Sequence, residues 1–144
     1  MATPIRWITV HCAATKPSHN TDAKAIDRMH RLRGFLKIGY HYVIKRDGTV
    51  ETGRKETETG AHVAGRNTGN IGICLAGGIH EVTGKAENNF TPQQFASLAK
   101  LIAELKVRYP AAEVLGHRDH PNVAKDCPCF DTRSWWSKQP EYRQ

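Results

Sequence analysis

No stretch of the chain approaches the ~20 consecutive apolar residues that a membrane-spanning helix requires, so no membrane insertion is expected. The opening residues Met1-Ala-Thr-Pro-Ile-Arg-Trp7 lack the charged-then-apolar plan of a secretory signal. The expectation is a protein that is cytoplasmic on synthesis. Internal repeats, low-complexity tracts and linkers are missing too, which leaves one domain spanning residues 1–144, a usual domain size. Cysteine is sparse: Cys12, Cys74, Cys127 and Cys129. With no export signal, these read as free thiols or metal ligands rather than disulfides. A domain this long can bury enough surface to do without covalent staples.

Acidic residues are in deficit. Fourteen Asp and Glu against 21 Lys and Arg leave a net charge of +7. Such a surface favours polyanions, whether nucleic acid, anionic lipid or anionic cell wall, and its sign does not choose among them. The cations are dispersed and form no basic tail. A hydrophobic share of 39% with 24% charged residues suits a folded domain and not a disordered one. Eight histidines are many for this length; they favour a metal site without locating it.

The patterning predicts strands and helices in alternation. Residues 5–11 (IRWITVH) read as a buried central strand, followed by a polar loop over residues 13–20. Thr21-Asp22 opens a helix that runs to Arg33 and stops at Gly34. Residues 39–45 form the next strand, and Asp47-Gly48 turns the chain into a strand over residues 49–52. A long polar loop covers residues 53–69, and residues 70–76 (NIGICLA) return as a buried strand. After a second loop, Thr91-Pro92-Gln93-Gln94 carries a capping-box signature. Phe95, Leu98, Leu101, Ile102 and Leu105 then make one apolar stripe that ends before Pro110. Residues 113–117 are a short strand, and residues 131–136 a short helix. The fold class is therefore α/β: a single domain with a central mixed β-sheet flanked by helices.

His11 and His117 each end a predicted strand, where sites collect in such sheets. Cys127 follows ten residues after His117. Two imidazoles and a thiolate would hold a zinc with one open position. Spacing alone leaves the alternative standing, in which these are satisfied structural histidines and a buried thiol.

Longer stretches carry more. VHCAATKPS at 10–18, GYHYVIKRDGT at 39–49, GAH at 60–62, NIGICLAGG at 70–78 and KDCPCFD at 125–131 occur in one order along the chain. With them it resembles the zinc-dependent type 2 N-acetylmuramoyl-L-alanine amidases, in particular the short phage lysozyme-like amidases, relatives of the peptidoglycan recognition proteins. The resemblance spans roughly residues 5–136. It implies one zinc per chain, with His11, His117 and Cys127 as ligands. It makes Tyr40 the active-site tyrosine that contacts the zinc-bound water, and Lys125 the lysine that stabilises the reacting carbonyl oxygen. His62 corresponds to a cleft histidine that positions substrate. The implied function is that of an endolysin, cleaving the amide between the lactyl group of N-acetylmuramic acid and L-alanine of the stem peptide. Peptidoglycan is then the partner. The enzyme would be a monomer that acts on the wall after release by a membrane-permeabilising lysis partner, with no nucleic acid involved.

Other polar and aromatic residues read as ordinary. His120 precedes Pro121, which should lead it away from the strand end. Cys129 has no place in a three-ligand site. Cys12 alternates with His11 and faces the other side of the strand. Cys74 reads as core and His41 as structural, while His19, His30 and His80 should be solvated or partly packed. Trp135-Trp136 suits a packing anchor as well as a sugar platform. Two further classes remain at this stage. One is a non-catalytic peptidoglycan-binding module, against which the presence of Cys127 argues. The other is a nucleic-acid- or RNA polymerase-binding regulator, suggested by the charge alone and lacking a recognisable reading element.

Overall fold

The computed structural model describes residues 4–19 and 21–143. The first three residues, the last, and Asn20, at which the expected polar loop ends, lie outside the described residues. Strand β1 (Trp7–Cys12) is the axis of the domain. After it come helix α1 (Ala23–Leu32), strands β2 (Tyr42–Ile44), β3 (Val50–Thr52) and β4 (Asn70–Leu75), and helix α2 (Pro92–Arg108). Strand β5 (Glu113–Gly116) and helix α3 (Thr132–Ser137) close the fold. The five strands form one mixed sheet in the order β3-β2-β4-β1-β5. β1 runs parallel to both β4 and β5, β2 runs parallel to β4, and β2–β3 is the antiparallel hairpin. This is the mixed α/β sheet that the sequence predicts.

Alternation along the strands divides the core. Ile8 and Val10 of β1, Ile71, Ile73 and Leu75 of β4, and Leu98, Ile102 and Leu105 of α2 share one buried cluster. On the opposite face, Val43 and Cys74 pack with Ile26 of α1 and Ile38. Each fully buried aliphatic side chain contributes roughly 1.5–3 kcal/mol, so the α2 face supplies most of the apolar stabilisation. The other face is only partly covered by α1, and Thr9 and His11 of β1 point into it.

Local chemistry fixes the ends of the elements. The Thr91 hydroxyl accepts from the Gln94 amide, and the Gln94 side chain accepts from the Thr91 amide, each at 3.0 Å. The expected capping box is therefore present. Asp22 caps α1 by accepting from the Ala25 amide at 2.8 Å. Gly48 takes a φ of +91° in the β2–β3 turn, a left-handed conformation that favours glycine. Two expected boundaries move. The strand predicted over residues 39–45 begins only at Tyr42. His41 instead engages Gly72 twice: its amide donates to the Gly72 carbonyl at 2.9 Å, and its Nδ1 accepts from the Gly72 amide at 3.0 Å. The last strand stops at Gly116, because His117 opens a 3₁₀ turn (His117–Asp119).

Candidate metal centre and active-site cleft

Parallel pairing sets the site. Val10 of β1 lies opposite Gly116 of β5, so the next residue of each, His11 and His117, emerges at the same sheet edge. Their ring centroids are 4.5 Å apart. The chain then loops outward and returns to bring Cys127 back to β1. The Cys12 amide donates to Cys127 Sγ at 3.1 Å, and the Arg118 amide donates to the Cys127 carbonyl at 2.9 Å. As a result, donor atoms of His11, His117 and Cys127 all lie within 4.8 Å of one another.

The donor set suits zinc: two imidazole nitrogens and a sulfur that already accepts a backbone N–H. Both imidazoles are held in the neutral form that a metal requires. Burial, followed by the charges of His62 and His117, lowers the pKa of His11 well below its usual value. Burial and then the Lys125 ammonium lower that of His117.

A cavity of about 360 Å³ opens beside these residues, with Tyr40, His62, His117 and Lys125 in its lining together with His30 and Arg33. The Tyr40 ring sits 4.9 Å from that of His11. Its hydroxyl is pushed above the ordinary phenol range by burial first and by the thiols of Cys74 and Cys127 next. Lys125 is exposed on the rim. A larger groove of about 700 Å³ lies between α2, β5 and α3; it contains none of these groups.

His62 is held by Asn67, whose side-chain oxygen accepts from the His62 and Val63 amides at 2.8 Å. Both of its ring nitrogens are engaged. Nε2 meets the Asn70 carbonyl at 2.9 Å and Nδ1 meets His11 Nε2 at 2.8 Å. Burial, with smaller contributions from neighbouring histidines, brings its pKa down to about 3. His62 therefore lines the cleft and also touches the metal group, a contact that its place in the sequence does not signal.

His120 stays outside the ligand group, and its side chain is buried although the loop that follows it is exposed. His120 is 3% exposed, its Nε2 bonds the Thr9 hydroxyl at 2.9 Å, and its ring meets Trp7 edge-on. His30 is more buried than the sequence predicts, at 5% exposed, and its Nδ1 accepts from the Gly39 amide. His41 and Cys74 are structural. Cys129 donates to the Gly78 carbonyl at 3.4 Å, away from the group. Trp136 is buried and Trp135 packs against Phe95 and Phe130, as an anchor would. All four cysteines are free thiols.

The N-acetylmuramoyl-L-alanine amidase family profile matches residues 1–130. The endolysin of Escherichia phage T7 is 47% identical over 131 residues, which cover 91% of this chain and 85% of that protein. The endolysin of Klebsiella phage KP32 is 45% identical over the same shares. Among solved structures, the N-acetylmuramoyl-L-alanine amidase LysC from Clostridium intestinale superposes with a TM-score of 0.74 at 32% identity, covering 88% of this chain and 76% of that one. Drosophila PGRP-LB gives 0.77 at 25% identity, covering 97% and 84%. The chain belongs to the N-acetylmuramoyl-L-alanine amidase family, enzymes that hydrolyse the amide joining N-acetylmuramic acid to L-alanine in peptidoglycan.

Proposed function

We propose that this amidase is a phage-type endolysin whose reaction is centred on a zinc held by His11, His117 and Cys127. The observation that carries this reading is the convergence of those three donors at one sheet edge, beside a cavity that Tyr40 and Lys125 also line. Endolysin relatives of nearly the same length support the biological role. Zinc in a three-ligand site supplies Lewis acidity and lowers the pKa of water toward ~7.

The chain's own residues do the rest. The lactyl carbonyl oxygen gains negative charge as its carbon becomes tetrahedral, and the Lys125 ammonium stabilises that charge from the rim. Tyr40, whose phenol burial keeps protonated, is the proton source for the L-alanine amine that must leave. The walls of the cavity orient the muramyl-peptide junction. No helix of the described residues is long and apolar enough to cross a membrane, and access to the wall is assigned to a separate membrane-permeabilising partner.

Digestion of purified peptidoglycan, followed by mass analysis of the fragments, tests the reaction. Free stem peptides beginning with L-alanine are the expected products. Cleaved glycan strands with intact muramyl-peptide amides would overturn the reading.

A further inference from the structure

Resting on that metal-centre reading, we infer that His62 is a positioning residue, which fixes the tautomer and ring plane of His11 so that His11 Nδ1 is the ligating atom. One chain of hydrogen bonds, from the Asn70 carbonyl through His62 to His11, sets both tautomers. The Asn70 carbonyl can only accept, so the 2.9 Å contact to His62 Nε2 requires the proton on that nitrogen. A neutral imidazole then presents a lone pair at Nδ1. The 2.8 Å contact to His11 Nε2 is consequently donated by His11. His11 carries its proton on Nε2, and its Nδ1 lone pair is free for a metal.

Metal-bound histidines commonly donate their second nitrogen to a carboxylate, carbonyl or water. Here the acceptor is a second neutral imidazole. The surroundings are shaped to keep it there. A Cβ on Gly72 would sit 2.9 Å from three atoms of the His62 ring, so only glycine lets the ring lie flat against β4. Asn67 holds the His62 backbone from the other side. With both nitrogens bonded, His62 has none left to offer a substrate, although it lines the cleft. The role inferred is therefore orientation of His11 in place of a direct hydrogen bond to the stem peptide.

Two variants and one direct measurement test this. In His62→Leu the ring's bulk is kept and both hydrogen bonds are lost; in His62→Asn an acceptor remains near the Nδ1 position. Zinc affinity is read by competition with a chromogenic chelator, and KM at saturating zinc on a muramyl-peptide substrate. His62→Leu should weaken zinc binding ~10–100-fold, His62→Asn should restore most of it, and KM should stay near the wild-type value in both. Unchanged zinc affinity with a raised KM in His62→Leu would overturn the inference and make His62 a substrate contact. Nitrogen NMR of the zinc-loaded wild-type protein needs no variant to fold: protons on Nε2 of both His11 and His62 are expected, and a proton on His11 Nδ1 would overturn the inference. Failure of the wild-type protein to bind zinc at all would remove the metal-centre reading itself, a result distinguishable from either of these.

Discussion

The backbone amide of Cys12 donates to the sulfur of Cys127 at 3.1 Å. This bond ties the far loop to the end of β1, one residue beyond His11. The Cys12 side chain packs in the α2-facing core, where its thiol also meets the Cys127 sulfur. Cys12→Ala should keep the backbone bond while removing core volume and the thiol contact to Cys127. We expect zinc affinity within a few-fold of wild type and a stability loss of about 1 kcal/mol in denaturant unfolding. Loss of zinc in this variant would make the Cys12 thiol itself a ligand.

Tyr40→Phe removes one hydroxyl and leaves the ring beside His11. Fold and zinc content should be retained. Turnover at saturating substrate should fall on the order of 10²–10⁴ if the phenol holds the proton for the leaving amine. Wild-type turnover would reduce Tyr40 to a packing residue.

For Lys125 the informative quantity is the split between kcat and KM. A charge that acts only on the developing oxyanion predicts that Lys125→Ala lowers kcat and kcat/KM together. The expected loss is on the order of 10²–10³, with zinc content intact. Lys125→Arg should rescue only in part, because a planar guanidinium does not occupy the point of an ammonium. A rise in KM alone would assign Lys125 to binding the wall.

The sequence reading locates the strongly periodic elements well, and for physical reasons. The stripe of α2 with its capping box, and the β-branched run of β1, are local signals. His11, His117 and Cys127 are also legible as candidates, because strand ends and thiols are visible in a string of residues. What joins them is not local. The Val10–Gly116 register that sets His11 beside His117 exists only once the sheet is paired. The same holds for the His11–His62 bond, and for His41 replacing part of a strand by bonding Gly72 with its side chain. His30 and His120 read as surface or loop residues because their hydrogen-bond partners, Gly39 and Thr9, come from other elements.

Buried neutral histidines give the protein an acid-sensitive stability. Burial, then the charges of Arg66 and His117, brings His120 down to about 4; unfolded, it returns to ~6.5. Between those values the unfolded chain binds the proton and the folded one does not, so stability falls as pH falls. In zinc-free protein, the urea midpoint should be flat above pH ~7 and decline from ~6.5 toward 4. His120→Gln, which keeps a donor for Thr9 without a titrating ring, should show a shallower decline. An identical pH profile in that variant would place the acid sensitivity in other groups.

The most direct test of the central claim is the zinc content and affinity of three purified proteins: wild type, Cys127→Ser and Cys129→Ser. The two sulfurs are two residues apart, and only Cys127 belongs to the converging group. Wild type and Cys129→Ser should each hold one zinc per chain, lose peptidoglycan hydrolysis on chelation and regain it when zinc is returned. Cys127→Ser should lose most of its zinc affinity, since a hydroxyl is a far poorer ligand than a thiolate. Full zinc occupancy in Cys127→Ser, or hydrolysis by the metal-free wild type, would contradict the account.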